Sequence, residues 1–293
     1  MKRLPLICLV LTLCCLGLWG LIISKAGLGA GAPDYDTKAR EPVYDDTPLV
    51  LPMLPTPEAD TAPPASSFEL EPYSPAPMLA LTFDDGPSKE YTPLLLEGLK
   101  QRGAHATFFM LGMRAEKAPE LVLRAYEEGH AIGGHGYDHK GYFTRLSRNS
   151  LAKQVNNTAD AIAKITGDDP PFLLRPPYGA IDEATALDTG KAIMLWSIDP
   201  RDWSVRDAGE IQRFIVENAV DGGVVILHDI YDSTVDGVLA AIDELLPMGW
   251  EFVTLPQLYN DFEVLLEAGG IYRSPESYKA PETAATQEGD IAY

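Results

Sequence analysis

Cysteine is almost missing from this chain: only three occur in 293 residues. All three, Cys8, Cys14 and Cys15, lie in one apolar N-terminal run. The rest therefore has no disulfide framework and no thiolate metal site, and any metal there must be held by His, Asp or Glu. Leu13 is bulkier than the residue that usually precedes a lipid-modified cysteine, which argues against lipid attachment at Cys14. Basic residues are scarce too, with 23 Lys and Arg against 43 Asp and Glu and a net charge of −20. Without a basic stripe the chain does not suit nucleic acid or an anionic lipid surface. The acidity is spread through flanking segments and reads mainly as solubility. No obligate protein partner is evident.

What is present begins with targeting. Lys2 and Arg3 precede an uncharged run over 4–23, followed by Lys25. About 20 apolar residues span a bilayer, and bases in front of them favour an N-terminus left in the cytoplasm. The expectation is a single-pass signal anchor over 1–25, with the bulk of the chain outside the cytoplasm. Ala30-Gly31-Ala32 keeps cleavage and secretion open as the alternative. Composition shifts over 33–77, where 11 prolines and nine acids stand against two bases. That is the composition of a semi-extended tether. The resulting organisation is an anchor at 1–25, a Pro-rich acidic linker at 26–77, a folded domain at 78–273 and a disordered tail at 274–293.

The hydrophobic fraction of 46% supplies an ordinary core. Short apolar or β-branched runs at 79–83, 106–111, 130–134, 172–175, 192–198, 224–227 and 251–255 read as strands. Helical patterns fall between them at 91–102, 119–128, 151–166, 208–220 and 238–246. Leu151, Val155, Ala159, Ile162 and Ile165 mark one face of an amphipathic helix. Such alternation predicts α/β architecture with parallel strands and helices outside. Seven strands approach the count of a closed barrel, and an open doubly wound sheet is the alternative.

Polar residues cluster at the C-terminal ends of these strands, the face where βα barrels carry out chemistry. Asp84 and Asp85, in Thr82-Phe83-Asp84-Asp85-Gly86-Pro87, follow the first run. Two adjacent anions at a strand mouth repel unless cations hold them, a metal for one and an arginine for the other. His135 and His139, four residues apart, follow the third run, and with an Asp they make a two-histidine, one-carboxylate set. His105 and His130 sit at strand starts and read as structural. Arg175 begins the stiff loop Arg175-Pro176-Pro177-Tyr178-Gly179, which is either a rigid turn or a device locking a guanidinium onto a buried carboxylate. Asp199-Pro200-Arg201-Asp202-Trp203 ends in an aromatic suited to a sugar face, and His228 ends the sixth run.

These five segments, in this order, resemble the polysaccharide deacetylase family with the NodB homology domain, carbohydrate esterase family four. The match extends over about 79–260. The resemblance implies a distorted (β/α)7 barrel that removes N-acetyl, or O-acetyl, groups from an acetylated glycan. It also implies a divalent metal, zinc first, with cobalt or nickel as alternatives. By the same resemblance Asp84 is the general base paired with Arg175, and Asp85, His135 and His139 are the metal ligands. His228 is the catalytic acid partnered by Asp202, the backbone N–H of Tyr178 is an oxyanion donor, and Trp203 and Leu227 wall the acetyl pocket. Export and a long linker point to peptidoglycan, with exopolysaccharide or chitin-like glycans as alternatives. A hydrolase of small cyclic amides and a catalytically silent glycan-binding module are the competing functions.

One departure stands out. The family usually places Ser or Thr after the first metal histidine and often Asn before it, whereas this chain has Gly136 and Gly134. Groups behind a ligand orient it, so a less braced loop is expected, with weaker metal affinity or an altered metal choice but no loss of activity.

Overall fold

The computed structural model describes residues 76–169 and 171–277. The expected anchor, the linker up to residue 75 and the tail from residue 278 lie outside the described residues. No helix among the described residues is long and apolar enough to cross a membrane.

The described residues form one curled parallel sheet. Its strands are β1 (Met78–Asp84), β2 (Thr107–Met110), β3 (Ala131–Gly134), β4 (Leu173–Leu174), β5 (Ala192–Met194), β6 (Gly223–His228), β7 (Glu251–Phe252) and β8 (Ile271–Tyr272). The order is β6-β1-β2-β3-β4-β5-β8, with β7 paired to the start of β1. Each of the seven expected runs contains or overlaps one of β1 to β7. The strand β8 was not expected, because Ile271 and Tyr272 stand between Gly269-Gly270 and Arg273-Ser274 with no longer apolar run around them. The run expected at 192–198 is also shorter than foreseen. Past β5 the chain leaves the ladder, and Ile198 crosses to form a bridge with Val225. Ile198 N–H donates to Val224 O, and Ile226 N–H donates to Ile198 O, each at 3.0 Å.

Strand parity sorts side chains into two layers, since successive residues point to opposite faces. On β1, Leu79, Leu81 and Phe83 pack outward against Leu95, Leu96, Leu99, Ile211 and Ile242. Those partners come from α1 (Thr92–Gln101), α7 (Ala208–Asn218) and α8 (Asp232–Leu245). Ala80 faces the other way, into a cluster with Phe109, Met194, Val224 and Tyr259. Both faces are buried, so the strands read as continuous apolar runs. Each fully buried leucine contributes roughly 1.5–3 kcal/mol. The remaining helices are α2 (Gly112–Ala115), α3 (Pro119–Glu127), α4 (Arg148–Thr166), α5 (Glu183–Thr189), α6 (Asp202–Val205) and α9 (Leu255–Asp261). In α4 the predicted stripe of Leu151, Val155, Ala159 and Ile162 is buried. Ser147 caps its N-terminus and Gly167, at φ 73°, ends it.

The register between β1 and β6 runs from Leu79 opposite Gly223 to Asp84 opposite His228. Two titratable side chains thus end neighbouring strands at one level. Gly134 of β3 pairs with Leu174 of β4, which brings the His135 and Arg175 loops side by side.

Candidate active site

The inward face of β1 is Ala80, Thr82 and Asp84, and the last two are polar and buried. Arg175, fully buried itself, satisfies them: one terminal nitrogen, Nη1, donates to Thr82 Oγ1 and to Asp84 Oδ1, both at 2.8 Å. Its Nε and Nη2 donate to the carbonyls of Met194 and Leu195 at 2.8 and 2.9 Å. Its guanidinium lies over the Phe109 ring at 4.2 Å. A planar fork fixed at four oxygens holds one orientation, which a lysine could not do.

The carbonyl of Arg175 also orients a histidine. It lies 2.8 Å from His135 Nδ1, and a carbonyl only accepts, so Nδ1 carries the proton. The lone pair is left on Nε2, which stands 3.5 Å from Asp85 Oδ1 and 3.8 Å from Asp84 Oδ2. Burial lowers the pKa of His135, against the opposing pull of Asp84 and Asp85. His139 Nε2 faces the same Asp85 oxygen at 3.5 Å. Ligand atoms from Asp85, His135 and His139 all lie within 4.8 Å of one another. Asp85 Oδ1 is buried and accepts no hydrogen bond. A buried, unsatisfied anionic oxygen facing two imidazole nitrogens is a donor set suited to a divalent cation.

The loop that carries these histidines is better held than its glycines suggest. Gln154, on α4, accepts from Tyr137 N–H at 2.7 Å and donates to Asp138 Oδ1 at 2.8 Å. Gly136 has φ 81°, and a Cβ there would sit 3.1 Å from Phe143 and 3.2 Å from Gln154 Oε1. An amide from a neighbouring helix braces the loop, and the backbone conformation at Gly136 favours glycine.

His228 is built in the same way from the other side of β1. Its Nδ1 lies 2.8 Å from Asp202 Oδ1. The second oxygen of Asp202 accepts from the His228 N–H at 2.8 Å and from Thr234 Oγ1 at 2.7 Å. Burial opposes charge on His228, but the Asp202 carboxylate, with help from Asp84 and Asp85, pushes its pKa up to about 9. Asp202 opens α6 and is itself fully buried.

Asp84, Asp85, His135, His139 and His228 line a cleft of about 480 Å³ with Tyr178, Trp196, Asp199, Trp203, Ile226 and Tyr231. Tyr178 and Trp203 are half exposed, at 56% and 50%. Tyr178 rests against His139 with ring centroids 4.7 Å apart. Asp85, His139 and Tyr178 all have positive φ, at 71°, 57° and 63°. Left-handed backbone in non-glycine residues is concentrated around functional groups. The Tyr178 N–H belongs to a single 3₁₀ turn, Pro177–Gly179, whose early N–H groups find no acceptor within the turn.

One expected residue falls elsewhere. Leu227 is fully buried in the outward cluster with Leu81, Val238 and Ile242. It does not wall the cleft, because on β6 it has opposite parity to His228. Ile226, the adjacent residue, lines the cleft instead. Gln154 and Ile226 were both missed from sequence.

The known proteins that this chain is similar to include deacetylases. A family model described as polysaccharide deacetylase matches residues 72–193. A peptidoglycan-N-acetylglucosamine deacetylase, PgdA, of Listeria monocytogenes is 40% identical over 62% of this chain and 39% of its own length. The chain thus spans about two fifths of that longer relative. A peptidoglycan-N-acetylglucosamine deacetylase of Bacillus cereus is 37% identical over 64% of this chain and 70% of its own length. The solved structure of the peptidoglycan deacetylase PdaC from Bacillus subtilis superposes with a TM-score of 0.61 at 39% identity, covering 63% of this chain and 91% of that one.

Proposed function

The chain belongs to the polysaccharide deacetylase family, and we propose that it hydrolyses N-acetyl groups of peptidoglycan sugars, releasing acetate and leaving a free amine. One observation carries the proposal. A carboxylate held by an arginine and a histidine held by an aspartate end neighbouring strands in register, beside a two-histidine, one-carboxylate set. The names of the relatives supply the substrate, and the expected export signal fits it.

In this reading Asp85, His135 and His139 hold a divalent ion, zinc first. When bound, such an ion supplies a Lewis acid that polarises the acetyl carbonyl and lowers the pKa of water. Asp84 takes the proton of the attacking water, with the Arg175 charge fixed at 2.8 Å to balance the carboxylate. The Tyr178 N–H donates to the oxygen that gains charge as water adds, a contribution of roughly 3 kcal/mol where such donors have been removed. His228 is protonated at neutral pH and gives a proton to the nitrogen as the C–N bond breaks, and Asp202 keeps it oriented. Trp203 and Ile226 wall the space for the acetyl methyl, and the exposed Tyr178 and Trp203 rings offer faces to sugar.

The finer description is a distorted seven-unit barrel over 78–273, carried outside the membrane by the anchor and linker. The test is acetate release by the full chain from peptidoglycan, chitooligosaccharide and acetylated xylan, with and without chelator. Release from peptidoglycan that stops on chelation is expected. Release from none of the three would favour a silent glycan-binding module.

A further inference from the structure

A second cavity, of about 730 Å³, adjoins the catalytic cleft and shares Asp85 and His139 with it. The two differ in their lysine and arginine content. The catalytic cleft is lined by Asp84, Asp85 and Asp199 and by no lysine or arginine. The second cavity is lined by Lys89, Arg114 and Lys117, in a chain of net charge −20. Its own two acids are committed. Asp138 is bonded to Lys140 at 3.0 Å and to Gln154 at 2.8 Å, and Asp85 faces the two histidines. Arg114 is half-buried and anchored by donating to the Asp85 carbonyl at 2.9 Å. Lys89 and Lys117 are exposed, and their ammonium groups make no ion pair or hydrogen bond among the described residues. Pro87, Leu111, Met113 and Ile230 supply apolar lining between them.

We propose that this second cavity is a carboxylate subsite, which takes the acidic arm beside the acetylated sugar and makes the chain select an acidic glycan over a neutral one. This rests on the deacetylase reading above. In peptidoglycan the carboxylate comes from the lactyl ether of muramic acid or from the peptide attached to it. Three cations around one cavity raise the local concentration of such a group and draw it in, an effect that salt weakens. The apolar lining suits the methyl groups that accompany both sources.

The test compares the full chain with Lys89→Glu/Lys117→Glu on three strands of equal length: chitooligosaccharide, peptide-free peptidoglycan strand and peptide-bearing strand. Lys153→Glu, an exposed change on α4 that lines neither cavity, serves as control. The ratio of kcat/KM on acidic strands to that on chitooligosaccharide should fall about tenfold or more in the double variant and stay unchanged in the control. Wild-type KM for acidic strands should rise from low salt to about 0.5 M salt. A loss already present on the peptide-free strand assigns the lactyl carboxylate, and a loss confined to the peptide-bearing strand assigns the peptide. Binding of the same strands, measured in an Asp84→Asn background, gives the ratio without turnover. A ratio unmoved by the double reversal, in turnover or in binding, overturns the subsite. No acetate from any strand, with the binding ratio still dependent on the lysines, would overturn the deacetylase reading alone.

Discussion

His130 stands just before β3 and His135 just after it, and burial lowers the pKa of each. Each has a second histidine nearby, His105 at 5.8 Å and His139 at 5.2 Å between ring centroids. The difference lies in which ring nitrogen the backbone takes and in what role. His130 Nδ1 accepts from the Ala106 N–H at 3.1 Å, so its Nε2 carries the proton and has no partner. Its ring packs edge-on against Phe108, and nearby Glu128 is bonded to Arg124 and Lys100. His135 Nδ1 donates to a carbonyl, so its Nε2 presents a lone pair to Asp85. A metal ligand needs that lone pair. Residue type and burial are shared, and the hydrogen bond behind the ring separates a core histidine from one whose lone pair is open to a metal.

The largest effect should come from abolishing the ligand pair. His135→Ala or chelation should lower acetate release by roughly 10³-fold or more, since carbonyl polarisation is worth several kcal/mol. Circular dichroism should show the fold retained. Asp84→Asn, which removes the base but leaves the histidines, should cost about 10²- to 10⁴-fold in kcat. The acid side should show itself through pH. The His228 pKa in the folded chain, about 9, lies above its ordinary 6.5. Its stabilising contribution is therefore complete below pH 6.5 and lost as pH rises through about 9. Activity should fall over the same alkaline limb, and Asp202→Asn should move that limb toward lower pH in a kcat–pH profile.

Smaller effects sharpen the contrast. Gln154→Ala should weaken metal affinity by about 10- to 100-fold, with activity recovered at saturating metal. His130→Ala should leave kcat/KM near wild type. It should cost about 1–3 kcal/mol in urea unfolding, because the Ala106 N–H loses its acceptor inside the core.

Much of this was legible in the sequence. Strand-helix alternation and the polar residues at strand ends located the site, because parallel strands must end on one face. The two misses have physical causes. In β6 both faces are buried, so Val225, Ile226 and Leu227 carry no alternation to say which side faces the cleft. His228 itself could have settled it, since residue 226 shares its parity and residue 227 does not. Gln154 lies beside the apolar stripe of α4, where a polar residue reads as solvated, and only the fold brings its amide to the 136–138 loop. β8 has no longer apolar run around it to mark it, and the expected anchor and the tail beyond residue 277 lie outside the described residues.

The most direct test counts bound zinc per chain by native mass spectrometry, alongside acetate release from peptidoglycan, in wild type, His130→Ala and His135→Ala. One ion and full release are predicted for the first two, and neither for the third. Zinc and acetate release both retained in His135→Ala would contradict the assignment.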